Sequence, residues 1–213
     1  MLYNPPAYRE QDVARMHEHI QATGFATLVT VGADGPLVSH LPMLLDRNAG
    51  PHGTLAGHLA RANPQLNTSD FTKPALVIFM GPDAYVSPSW YPTKKEHGRV
   101  VPTWNYHVVH VSGMLTLYDD PAELKAHVTA LSERHEARFA LPWEVADAPE
   151  DFIQRQLKGI VGLRLRITSL EGKAKLSQNR SEADQLGVIA GLTGSPRPSE
   201  RDVAALMRDR KGA

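Results

Sequence analysis

Short β-rich runs joined by tight turns, a stretch of such runs from about residue 25 to residue 118 broken only by a short turn or helical segment and a polar loop, and capped helices confined mainly to the flanks predict a mainly β protein with flanking helices (α+β). The arrangement fits an antiparallel barrel or sandwich of five or six strands. The 213 residues suffice for one domain with a sizeable core, or for a domain with a small appendage.

The first element is a helix over about residues 9–22, where Val13, Met16 and Ile20 form one stripe and Gly24 is the stop. In "FATLVTVGADGPLVSHLPMLLD", two β-rich runs flank Asp34-Gly35, the strongest short-range hairpin signal in the chain. A turn at "NAGPHG" (48–53) leads to "TLAGHLA" and then to a short turn or helical segment, "RANPQLNTS". "PALVIFMG" (74–81) and "AYVSPSWY" (84–91) continue the pattern, and a polar loop (92–99) precedes a long strand region ending near Tyr118. A helix follows, with Asp120 as cap, Pro121 at the first helical position, and Leu124, Val128 and Leu131 at helical spacing. "PEDFIQRQLKG" (149–159) is a second helix. "IVGLRLRITSLEGKAKLSQ" returns to strand, with Leu163, Leu165 and Ile167 facing in and Arg164 and Arg166 facing out. Two capped helices are expected in the tail, starting at Ser181 (with Asp184) and at Ser199 (with Asp202).

Hydrophobic residues make up 42% and charged residues 22% of the chain, ordinary values for a globular protein. Lys+Arg and Asp+Glu are both 23, so no global basic field attracts nucleic acid. With no cysteine, disulfides, thiolate catalysis and cysteine metal sites are excluded, and flavin, histidine or carboxylate chemistry stays open. The N-terminus lacks a basic segment followed by an apolar core, and the longest apolar runs fall far short of the ~20 residues that span a bilayer. A soluble, cytoplasmic protein without membrane contact is the expectation.

The residues with most chemistry lie in five short stretches, each of which also has a plain structural account. "VVPTWNYHVVHVSG" (100–113) puts Trp104, Tyr106, Val108 and His110 on one face of a strand. Thr103, Asn105, His107, Val109 and Val111 fall on the other, so rings and polar groups appear on both faces. In "GHLARANPQ" (57–65), Arg61 stands where a helical turn begins and is either an anion-binding guanidinium or an ordinary surface residue. "AYVSPSWYP" offers Tyr85, Ser87, Ser89 and Trp90 either to a flat heteroaromatic ligand or to a core or interface. "GKAKLSQNR" (172–180) gathers Lys173, Lys175, Gln178, Asn179 and Arg180 into a solvated turn or a set of donors for a phosphate or a flavin edge. The fifth stretch is "SHLPMLLD" (39–46).

The ten histidines do not form a metal pattern. His17 and His19 point about 200° apart on a helix, and His107 and His110 lie on opposite faces of a strand. No helical His-Glu-x-x-His, P-loop, G-x-G-x-x-G or G-x-S-x-G sequence is present, so no metal site and no hydrolase are expected.

In order along residues 1–190, these five stretches resemble the PaiB family, described as FMN-binding negative transcriptional regulators. Their relatives are the FMN-binding split barrels, which include pyridoxamine-phosphate oxidase. The resemblance implies a six-stranded antiparallel Greek-key split barrel over residues 1–180, with residues 181–213 as a C-terminal helical extension packed on or between subunits. It also implies a homodimer with FMN at the subunit interface. His40 and Pro42 would run alongside the flavin ring, with Pro42 at a strand edge or irregularity because it lacks an amide donor. His58 would end the next strand, and Arg61 would pair with the phosphate. Tyr85, Ser87, Trp90, Thr103, Trp104 and Asn105 would supply flat surface and polar contacts, and Gln178 and Arg180 would close the site.

Three functions follow: a regulator with FMN as a structural or sensing group, a flavin-dependent oxidoreductase acting on a small molecule, or a haem-binding split barrel. Catalytic residues are not assigned. DNA as a partner is inherited from the family description, because the "LTGSPRPS" connection between the last two helices reads as too long for a helix-turn-helix and carries two prolines.

Overall fold

The computed structural model describes residues 2–211. Its strands are β1 (Arg9–Glu10), β2 (Phe25–Gly32), β3 (Gly35–Pro42), β4 (Leu44–Asp46), β5 (Thr54–Ala60), β6 (Ala75–Val86), β7 (Thr103–Tyr118) and β8 (Ile160–Lys175). Its helices are α1 (Val13–Thr23), α2 (Gln65–Thr68), α3 (Thr93–His97), α4 (Pro121–Glu136), α5 (Glu150–Leu157), α6 (Glu182–Thr193) and α7 (Pro198–Lys211). The strands form one mainly antiparallel sheet in the order β3-β2-β6-β7-β8-β5-β4, with β1 paired to β8. The sheet is open, as a split barrel requires. Eight strands stand where six were expected, because the two-residue β1 and the three-residue β4 add short pairs to six long strands.

By contacts the chain divides into two interleaved units. The first comprises residues 2–16, 80–109 and 171–211; the second comprises residues 17–79 and 110–170. Residues 181–211, expected as an extension, give Val188, Ile189, Leu192, Val203, Ala204 and Met207 to a core of the first unit, beside Ala84, Val86, Tyr91, Ala174 and Leu176. Met1 and residues 212–213 of the expected domains lie outside the described residues.

Four local expectations shift. Residues 9–10 pair as a strand with Gly172 and Lys173, so the first helix starts only at Val13, where the Asp12 carboxylate accepts from the amide of Ala14 (2.8 Å). The β2–β3 loop is Ala33-Asp34, one residue earlier than the Asp-Gly signal, and Gly35 (φ +123°) opens β3. Gly81-Pro82 reads as a break between strands but is carried inside β6, since proline's fixed φ suits extended chain. Ser199 does not cap the last helix, which starts at Pro198. Its hydroxyl accepts from the amide of Asp83 (2.9 Å) and donates to the Asp83 carbonyl (2.7 Å).

Other expectations hold. The Asp120 carboxylate accepts from the amide of Glu123 (2.9 Å), and Pro121 opens α4. Ser181 accepts from the amide of Asp184 at the start of α6 (3.2 Å). In β8, Leu163, Leu165 and Ile167 are buried while Arg164 and Arg166 are exposed, as period-two alternation demands.

Candidate functional site

In the second unit, β3 is an edge strand, and its last residue Pro42 pairs with Phe25 where a missing amide donor is tolerated. The imidazole of His40 is exposed on the same strand, with Nδ1 3.0 Å from the hydroxyl of Thr27. At the far end of β5, Arg61 is held in place. Its Nε donates to the Lys158 carbonyl (2.9 Å), one Nη donates to the Ile160 carbonyl (3.0 Å), and the other lies 3.7 Å from the Asp119 carboxylate. The side chain remains about half exposed (47%), so it ties β5 to the start of β8 while keeping a wet edge.

Arg61 is followed by a buried polar knot that sequence reasoning did not find. Gln65 is 3% exposed; its Nε2 donates to the hydroxyl of Thr30 (2.8 Å), and its Oε1 accepts from Ser39 (2.5 Å). Asn63 donates to the same Ser39 hydroxyl (2.9 Å). The knot fixes the "RANPQ" turn against the β2–β3 hairpin. No local pattern announces it, because its bonded partners are 24 to 35 residues apart.

His58 meets a partner from α4. Its Nδ1 lies 3.1 Å from Nε2 of His127, with the rings edge-to-face at 5.3 Å. Burial lowers the His58 pKa below the usual imidazole value. His127 is lowered to about 4 by burial, then by the neighbouring His58 and the charge of Arg164. Both imidazoles are therefore neutral at pH 7. His127 was legible in principle, since it continues the Leu124, Val128, Leu131 stripe and so had to face inward. Beside it, Arg164 lies over the ring of Tyr118 (4.2 Å) and pairs with Glu123 (3.1 Å). The Tyr118 ring covers Gly162, where a Cβ would meet it at 2.2 Å.

In the first unit, the alternation along β7 is the expected one. Asn105 and His107 face the core, and Trp104 and Tyr106 face away from it. Tyr85 and Trp104 are both exposed and pack edge-to-face at 6.0 Å. The ammonium of Lys175 donates to the hydroxyl of Thr103 and the carbonyl of Trp104. Its pKa is lowered, first by burial and then by the charges of Lys173 and Arg180. Lys173 is buried, donates to the Tyr3 carbonyl (2.8 Å) and faces the rings of Tyr3 and Tyr106. Arg180 lies over the ring of Tyr91 (4.9 Å).

Four expected site residues are engaged within this unit. Asn105 is fully buried, and its Nδ2 donates to the hydroxyl of Ser177 (2.9 Å). Gln178 folds onto its own turn, with Oε1 accepting from the amide of Leu176 and Nε2 donating to the Ala174 carbonyl (both 2.6 Å). Ser87 caps a short 3-10 turn by accepting from the amide of Ser89 (3.2 Å). Trp90 docks on α6, where a Cβ on Gly191 would meet its indole at 2.4 Å. Trp104, Tyr85, Lys175 and Arg180 thus supply an aromatic surface rimmed with cations. Flavin mononucleotide asks for a flat apolar contact, donors toward its pyrimidine edge and positive charge for its phosphate, and this donor set fits it. Among the described residues no group of three or more His, Asp or Glu side chains could hold a metal ion, and no helix is long and apolar enough to cross a membrane.

A family model described as "Putative FMN-binding domain" matches residues 2–169. The chain is also 32% identical over 209 residues, 98% of both chains, to "Protease synthase and sporulation protein PAI 2" of Bacillus subtilis (strain 168). The chain belongs to the PaiB family of FMN-binding domains. Solved structures share the fold of this PaiB-type chain. The conserved hypothetical protein Rv2991 of Mycobacterium tuberculosis aligns with a TM-score of 0.59 at 12% identity, covering 85% of this chain and 95% of that one. The FAD and heme binding protein of Mycobacterium smegmatis aligns with a TM-score of 0.55 at 15% identity, covering 79% and 73%. FMN is the cofactor that membership of the family assigns to the chain.

Proposed function

We propose that this PaiB-type protein binds FMN at the interface of a homodimer and acts as a negative regulator of transcription, with the flavin as a structural or sensing group. The observation that carries the flavin site is the exposed Tyr85–Trp104 pair beside the ammonium of Lys175, on a strand whose opposite face is core. A large exposed aromatic pair is unusual on a monomer's surface, and a ligand or subunit covering it removes that area from water. Phe25, Val31 and Val38 on the β2–β3 hairpin are similarly exposed and support a subunit contact there.

Trp104 and Tyr85 would offer flat surface, and Lys175 and Arg180 positive charge. FMN, when bound, supplies one- or two-electron transfer. The regulatory role is supported by the nearly full-length likeness to a relative named for protease synthesis and sporulation. The α6–α7 connection is residues 194–197, shorter than the sequence indicated, so its length no longer argues against a helix pair that contacts DNA. The exposed face of α7 is of mixed charge, with Arg201 and Arg208 beside Asp202 and Asp209.

A flavin-dependent oxidoreductase is the second reading, favoured by the hydrogen-bonded His58–His127 pair, two neutral imidazoles of which one donates a proton to the other. Visible absorption of the purified protein with and without FMN, beside its sedimentation mass, tests the first. A flavin spectrum on a dimer supports it, and a colourless monomer that ignores FMN overturns it. Steady oxidation of reduced nicotinamide would favour the enzyme; salt-sensitive retention of promoter DNA would favour the regulator.

A further inference from the structure

The outer face of β5 and β8 in the second unit is only partly covered. Between α4, the end of α1 and the β4–β5 hairpin lies a cavity of about 970 Å³, a size typical of small-molecule sites. Its walls combine apolar surface from Leu44, Ala56 and Ala130 with three guanidiniums, those of Arg47, Arg134 and Arg164, and the carboxylates of Asp46 and Glu123. Arg164 is balanced by Glu123. The other two are not. Arg47 donates to the side-chain oxygen of Gln21 and Arg134 to the carbonyl of the same Gln21, and neither has a carboxylate within salt-bridge reach among the described residues. Two like charges are thus gathered at one neutral residue, an arrangement whose repulsion an anion in the cavity would relieve.

We propose that this cavity is a second binding site, which takes a compact molecule carrying a carboxylate or phosphate group on a short apolar body. The guanidiniums of Arg47 and Arg134 hold the oxyanion through charge-assisted hydrogen bonds, for which their planar forks are suited. The alanines and leucines receive the apolar body. Tyr118 also lines the cavity; its ring covers Gly162 and carries the Arg164 guanidinium over it. His127 also lines the cavity, hydrogen-bonded to His58, with Arg164 raising the cost of its protonation. The site shares no residue with the aromatic surface assigned to the flavin and does not depend on that assignment.

The test is titration of the full-length, flavin-loaded protein with succinate, glycerol 3-phosphate and the neutral diamide of succinate at constant ionic strength. Binding is read by calorimetry and by the imidazole NMR signals of His127. Saturable binding of either anion, none of the diamide, and an upward move of the His127 titration on binding are expected; the tighter of the two anions names the head group. In Arg47→Gln and Arg134→Gln the affinity falls about tenfold or more, the weight of one charge-assisted hydrogen bond. Ala130→Phe fills the space and abolishes binding, while the flavin spectrum is unchanged in all three variants. Anion affinity that is unaltered in the arginine variants, equal binding of the diamide, or no binding by any probe overturns the proposal.

Discussion

The imidazoles of His58 and His127, 69 residues apart in the chain, share a hydrogen bond of 3.1 Å in which one nitrogen donates and the other accepts. Such a bond requires at least one of the rings to be neutral, and burial keeps both so at pH 7. The pair joins the end of β5 to the middle of α4.

The sign of its pH dependence follows. His127 has a folded-state pKa of about 4, below the ordinary 6.5, so the unfolded chain binds its proton first. The stability it contributes is full above about pH 7 and is lost as the pH falls toward 4. Calorimetric melting of wild type and His127→Asn across pH 4–8 will show a shallower acid decline in the variant. Between about pH 6 and 4 the slopes should differ by about 2–4 °C in Tm per pH unit, the response of a chain this size to about 1 kcal/mol. Parallel curves would remove His127 from the acid response.

Gly191 and Trp90 give a second prediction. Alanine favours a helix over glycine by about 1 kcal/mol, yet a Cβ on Gly191 would meet the indole at 2.4 Å. Overpacking, costing about 1–3 kcal/mol, wins. Urea unfolding of Gly191→Ala is expected to show net destabilisation, which Trp90→Ala in the same chain partly relieves. Additive effects of the two substitutions would mean that they do not touch.

Ser177 is the one non-glycine with positive φ (+62°) among the described residues, and its hydroxyl is held by Asn105. Glycine at this position relieves about 1 kcal/mol of left-handed strain but leaves the buried Asn105 amide with only the weak sulfur acceptor of Met207, at about 1–3 kcal/mol. Ser177→Gly is therefore expected to be neutral to destabilising by about 2 kcal/mol in chemical denaturation. A clear stabilisation would show that the hydrogen bond contributes little.

Arg61 separates anchoring from ligand contact. Arg61→Ala loses the bonds to the Lys158 and Ile160 carbonyls and should lower Tm in the flavin-free protein. If its wet edge also meets the FMN phosphate, affinity measured by fluorescence quenching falls about tenfold or more. A lowered Tm with unchanged FMN affinity would leave it a purely structural clasp.

The elements that rest on local rules are legible in the sequence. Asp120-Pro121 sets the start of α4, Ser181 sets that of α6, and period-two alternation decides which side of β7 holds Asn105 and which holds Trp104. Ordered motifs carried the family, and with it the flavin. What each side chain of the candidate site touches depends on long-range packing. Gln178, Asn105 and Trp90 look like ligand contacts in sequence, yet they meet their own turn, Ser177 and the glycines of α6. Ser199 looks like a cap and binds Asp83, 116 residues away. Capping and alternation depend on neighbours within a few residues, whereas a buried hydrogen bond depends on which distant strand or helix arrives opposite. His127 reaching His58, and two arginines reaching Gln21, are decisions of that second kind.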